Sequence, residues 1–128
     1  FDGIKIGQEV NTESGKLVVN SHEKTSRHEI ASAYTSEEQT VLKVNLTLTN
    51  TTNATQTYSS GQFTFVDSSQ VQQSDMNRLF DNYFKSVTLE PGGTVEASMV
   101  FEKYDSKQGT FKWINSYGQE IRVTLPSA

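Results

Sequence analysis

The chain has 128 residues, with 8 glycines, 2 prolines, no cysteine and a formal net charge of −4. That length serves one domain with one real core, the low Gly and Pro content excludes collagen-like and Pro-rich chains, and the lack of cysteine excludes disulfides, thiolate metal sites and a cysteine nucleophile. Acidic and basic residues are interleaved with no basic stripe, so nucleic acid is not an expected partner, and no run of about 18 apolar residues offers a membrane span.

The chain opens at Phe1 rather than at Met. An upstream segment is therefore expected to have been removed, and a signal peptide would sit there. Ile4, Ile6 and Val10 predict an opening edge strand. Glu13-Ser14-Gly15 turns the chain into a strand over Leu17 to Ser21. Lys24 to Thr40 is polar and mixed in charge and reads as a long crossover.

The clearest strand is Val41 to Asn50, where Leu42, Val44, Leu46 and Leu48 alternate with Lys43, Asn45, Thr47 and Thr49. Period two with one apolar face means a half-buried strand. Asn50-Thr51-Thr52-Asn53 stops it with turn formers. Phe63 and Phe65 mark the next strand, turned by Asp67-Ser68-Ser69.

Ser74 to Phe84 has a different spacing. Met76, Leu79, Phe80, Tyr83 and Phe84 follow the i, i+3, i+4, i+7, i+8 pattern of an amphipathic helix, with Ser74 or Asp75 as N-cap. A helix of about two turns is predicted here, closing one end of the fold. If its face stands exposed, Met76, Phe80, Tyr83 and Phe84 form a candidate partner-binding surface; if it packs, they are core.

Ser86 to Leu89 is a short extended approach to Glu90-Pro91-Gly92-Gly93, which carries type II turn chemistry. Thr94 to Tyr104 is a strand with Val95, Ala97, Met99 and Phe101 on one face. Phe111 and Trp113 mark another, Asn115-Ser116-Tyr117-Gly118 a hairpin turn, and Ile121, Val123 and Leu125 the last strand. Strands at roughly ten-residue spacing predict an all-β two-sheet sandwich. No repeat or boundary divides it, so residues 1–128 are read as a single domain.

The chemistry-bearing residues form no coherent catalytic set. His22 and His28 are six apart, which fits neither a helical nor a strand metal pair, and no metal or cofactor is expected. Asp67-Ser68-Ser69-Gln70 starts like a calcium loop but lacks the glycine and terminal glutamate. No nucleophile elbow, phosphate loop or dinucleotide fingerprint occurs. A hydrolase using paired carboxylates is the remaining enzyme reading. Asn45, Asn50 and Asn53 head glycosylation-type triplets, two of them where turns are wanted. Tyr58, Tyr104 and Tyr117 fall in turns or at strand ends and are the candidate sugar-stacking residues of an alternative, carbohydrate-recognition reading.

Ile6-Gly7-Gln8-Glu9-Val10, Val44 to Thr51, Phe63-Thr64-Phe65-Val66-Asp67-Ser68 and Leu89-Glu90-Pro91-Gly92-Gly93-Thr94-Val95-Glu96 occur in that order. Together they resemble the telokin-like domain of unknown function of Gram-positive lipoproteins, related to the mycobacterial immunoprotective extracellular antigen. The resemblance covers about Ile4 to Leu125. It implies an immunoglobulin-like sandwich, an exported or lipid-anchored cell-surface protein, and no catalytic residues to carry over. The sequence departs from it at Ser69-Gln70, where an Asn-Gly hairpin is usual, and in the aromatic content of Ser74 to Phe84. On this basis the expected function is non-catalytic binding of a protein or envelope component.

Overall fold

The computed structural model describes residues 1–128 as an immunoglobulin-like sandwich of ten strands. The strands are β1 (Glu9–Thr12), β2 (Gly15–Thr25), β3 (Val41–Thr49), β4 (Gln56–Ser59), β5 (Phe63–Val66), β6 (Gln72–Ser74), β7 (Ser86–Leu89), β8 (Thr94–Phe101), β9 (Gly109–Ile114) and β10 (Glu120–Leu125). One antiparallel sheet has the order β1-β2-β3-β8 and the other β10-β9-β5-β6, while β4 and β7 pair as a separate ribbon.

The period-two pattern of β3 does what it predicts: Leu42, Val44, Leu46 and Leu48 are buried and face the opposite sheet. They meet Phe63, Phe65, Phe111, Trp113, Ile121, Val123 and Leu125 in one core. Aromatic rings join the sheets, with Phe101 centred 5.8 Å from Phe65 and 6.0 Å from Phe111. The ribbon adds Tyr58, Val87 and Leu89 to the same core.

The opening residues do not make one edge strand. Ile4 bridges Val123 in one sheet, the chain turns at Gly7, and Glu9–Thr12 then pairs with β2 in the other. Lys24 to Thr40 is only partly a crossover. β2 runs on to Thr25, and Ser26 caps the four-residue helix α1 (Arg27–Ile30) by accepting from the Glu29 N–H at 3.1 Å. The turn at Asp67 survives the loss of Asn-Gly. The Asp67 carboxylate accepts from the N–H groups of Ser69 and Val71, and Gln70 takes the left-handed position at φ 65°. Glu90–Gly93 closes as expected, with the Gly93 N–H donating to Glu90 at 2.8 Å and Gly92 at φ 84°.

The predicted helix over Ser74–Phe84 is not present. β6 ends at Ser74, Asp75 accepts from the Asn77 N–H at 2.9 Å, and a single 3-10 turn, Asn77–Leu79, leads into further turns. Nor does the segment close the end of the sandwich. It lies on the outer face of the β3–β8 pair, where Met76 and Phe80 cover Val41 and Val100 in a second small core. This explains why Val41 and Leu42 are both buried, as are Val100 and Phe101: one residue of each pair faces the main core and the other the small one. Leu79, on the same helical face as Phe80 in the sequence reading, is 58 % exposed. The segment winds as separate turns instead, with Met76 and Phe80 packed on Val41 and Val100 and the Asn77 side chain bonded to the edge of β8 between them.

Candidate functional site

β7 and β8 are joined by the tight turn Glu90–Gly93, yet they do not pair. β7 turns to β4 and β8 to β3, so a gap opens between neighbours that would ordinarily form a hairpin. Two buried asparagines hold its ends. Asn50 donates its side-chain N–H to the carbonyls of Leu89 and Ala54, and its backbone bonds both Gly92 and Gly93. At the far end Asn77 donates from Nδ2 to the carbonyls of Phe84, at 2.7 Å, and Ser98, at 2.8 Å, while its Oδ1 accepts from the Val100 N–H at 2.9 Å.

Between them lies a groove of about 970 Å³. Its apolar lining is Phe84, Val87, Val95 and Ala97, each half-buried against the main core. Its polar rim comes from the outer face of the sheet: Lys43, Asn45, Glu96 and Ser98, with Asn20 from β2. The β-bulge between Val19 and Ser21 puts Asn20 there as an extra residue. Cross-strand bonds fix this rim. The Ser98 hydroxyl donates to Asn45 Oδ1 at 2.7 Å, Asn45 Nδ2 donates to the Ser21 hydroxyl at 3.0 Å, and Asn20 donates to the Thr47 hydroxyl at 2.8 Å.

Tyr83 forms the wall on the other side, with the Lys43 ammonium 5.9 Å from its ring centre. Burial pushes the Tyr83 hydroxyl above its ordinary pKa, and the negative charge of Glu23 adds to the effect. The Lys85 ammonium donates to the carbonyls of Phe80, Tyr83 and Asp81 and pins the loop that carries Tyr83.

The candidate partner residues therefore separate. Tyr83 and Phe84 line the groove, whereas Met76 and Phe80 are about 5 % and 4 % exposed and pack under Tyr34 and Tyr83. Those two are core, because the outer face of β3 and β8 carries apolar Val41 and Val100 that must be covered. The sugar-stacking set also breaks up. Tyr58 lies against Trp113 in the main core and donates its hydroxyl to the Ser14 carbonyl. Tyr104 lies against Phe65 and is equally buried. Burial raises both hydroxyl pKa values. Tyr117 alone is open to solvent, on the β9–β10 hairpin. A peripheral tyrosine platform does not exist.

The two histidines each meet a backbone carbonyl, His22 that of Pro126 and His28 that of Tyr34. A second hollow of about 420 Å³ borders Asp67, Glu102 and Asp105. Each of these carboxylates already has a structural partner: the loop amides for Asp67, Arg27 for Glu102, and the Lys107 N–H for Asp105. Glu120 is held below the usual carboxylate range by its hydrogen bond with Arg122, outside the groove. Asn50 carries turn bonds, as its place in the sequence suggested. Asn50 and Asn77 are the site residues that sequence reasoning missed. Only their buried surroundings distinguish them from the many surface asparagines.

Several solved structures share this fold. The YjhA protein of Bacillus subtilis superposes with a TM-score of 0.72 at 15 % identity, over 95 % of this chain and 98 % of that one. The YcdA protein of the same organism, described as a provisional lipoprotein, gives 0.74 at 19 % identity over 93 % of this chain, which spans 38 % of its length. A protein of unknown function from Listeria monocytogenes gives 0.67 at 10 % identity, over 94 % of this chain and 82 % of that one. At these identities the likeness shows the fold alone. No curated protein matches the chain. The family described as a domain of unknown function, DUF4352, matches residues 4–117, and the chain belongs to it.

Proposed function

We propose that this chain is a non-catalytic binding domain of the Gram-positive cell surface, telokin-like in kind, which holds a protein or another envelope component in the groove between β7 and β8. The observation that carries this reading is the groove itself. Two neighbouring strands pair with different partners, two buried asparagines bridge the ends of the gap between them, and apolar side chains are left half-covered behind a fixed polar rim. A concave apolar surface with a few oriented polar groups is the usual form of a binding site. The provisional lipoprotein among the structural neighbours supports the surface location, as does the resemblance to telokin-like domains of lipoproteins.

Retention on Gram-positive envelope fractions tests the reading, using the purified domain and its Ala97→Arg variant. Ala97 lines the groove, and an arginine there fills it. The parent is expected to bind saturably. The variant is expected to lose at least about tenfold in affinity, equivalent to about 1.4 kcal/mol, while melting within a few degrees of the parent. Equal retention of both proteins would remove the groove from the function. Release of wall fragments by the parent, abolished in Glu96→Gln, would replace the binding reading with an enzymatic one.

A further inference from the structure

The free edge of β8 suggests what occupies the groove, given that the groove is the binding site. In an antiparallel pair, alternate residues turn both backbone polar groups toward or away from the partner strand. Val100 turns both away from β3: its N–H donates to Asn77 Oδ1 and its carbonyl accepts from the Met76 N–H at 2.8 Å. Ser98, Glu96 and Thr94 lie two, four and six residues back along the same strand and must face the same way. The Ser98 carbonyl is taken by Asn77. The Ser98 N–H and both polar groups of Glu96 and of Thr94 face the gap, with no strand beside them.

Asn77 shows how this edge is satisfied. Its side-chain amide presents one donor and one acceptor to β8, as a neighbouring strand residue would. The staple ends there, and β8 continues toward the turn with its edge open. Glu96, in the middle of the open stretch, is exposed and makes no ion pair within the chain.

We infer that the groove takes a short extended peptide that adds to the open edge of β8, with a basic side chain set against Glu96. Three to four residues fit beside Thr94 to Ser98, at roughly 3.3 Å per residue. Alternate side chains of the peptide rest on Val95, Ala97 and Val87, and the others leave over the polar rim. Backbone bonding supplies affinity, while the small pocket floor and Glu96 supply selectivity.

Peptides selected from a phage-displayed random heptapeptide library on the immobilised domain, then synthesised, test this. The expected peptides carry Lys or Arg next to a small or aliphatic residue. Methylating the nitrogen of one alternating set of peptide amides weakens binding about fivefold to tenfold, the loss of a backbone hydrogen bond, and methylating the other set does not. Glu96→Pro, which removes an edge N–H together with the carboxylate and no ladder bond, weakens binding by more than either loss alone. Glu96→Lys reverses the charge preference. Because Glu96→Pro can unfold the strand, the methylation series stands as an independent measurement on the parent domain.

Failure to enrich any peptide, or indifference to methylation at every position, overturns the inference. A dimer of the domain that Glu96→Lys dissociates also overturns it, in favour of a second copy on this edge. Loss of envelope retention in Ala97→Arg with no peptide selected leaves the groove as the site and removes only the added strand.

Discussion

Tyr58 and Tyr104 share burial and an aromatic neighbour, but their hydroxyl groups are in different positions. The Tyr58 hydroxyl donates to the carbonyl of buried Ser14, across the β1–β2 turn. The Tyr104 hydroxyl is buried with no partner within the protein. Tyr58→Phe is therefore expected to cost about 2 kcal/mol, because a buried carbonyl loses its donor, a drop of roughly 5 to 10 °C in Tm. Tyr104→Phe removes an unpaired polar group and is expected to leave Tm unchanged or raise it. Thermal melts of the two variants check both signs. Gly15 belongs to the same small assembly. A β-carbon there would fall 2.4 Å from the Tyr58 hydroxyl oxygen and 2.6 Å from the Thr49 carbonyl, at a φ of 148°.

At the scale of elements, the segment from Asp75 to Phe84 separates a packing argument from a periodicity argument. Leu79 and Phe80 lie on the same face of the predicted helix, but the structure exposes the first and buries the second. Leu79→Ser is expected to melt like the parent, whereas Phe80→Ser is expected to lose about 3 kcal/mol or more through the cavity left over Val41 and Val100. Equal losses would restore the helix. Asn77→Ala adds a second check on this segment. It leaves the buried Val100 N–H and the partly buried carbonyls of Phe84 and Ser98 without this partner, at an expected cost of about 2 to 4 kcal/mol. Hydrogen exchange at the Val100 amide is expected to accelerate in that variant beyond the global change.

Across the whole molecule, three buried or half-buried tyrosines couple stability to alkaline pH. Tyr58, Tyr83 and Tyr104 all have folded pKa values above the ordinary 10.0. A raised folded value means that the folded state keeps protons the unfolded chain has released, so the stabilisation is complete below pH 10 and is lost as pH rises through the folded values. Tm is expected to fall above pH 10, and the fall is expected to be shallower in the Tyr58→Phe, Tyr104→Phe double variant; an identical slope would mean that these hydroxyls do not govern it. The groove is likewise a property of the whole. It exists because one ribbon and one sheet draw consecutive strands apart.

The sandwich is legible in the sequence, because alternation is a local property. A strand with one buried face writes it into every second residue, as Leu42 to Leu48 and Ile121 to Leu125 do. Turn chemistry is local too, so Pro91-Gly92 and Asn115 to Gly118 were read at their places. Pairing partners are not local. Nothing in Ser86 to Leu89 says that it joins β4 rather than β8, and that choice alone opens the groove. Apolar spacing in Ser74 to Phe84 announced burial without saying against what; the outer face of β3 and β8 took Met76 and Phe80 and broke the helical period. Buried asparagines are the least legible of all, since Asn50 and Asn77 differ from surface asparagines only in the backbone groups that the fold brings to them. The sequence by itself determined the alternating strand faces, the turns and the main core between the sheets. Only the tertiary structure decided where the strand edge stays open, because backbone hydrogen bonds between distant segments carry no side-chain signature.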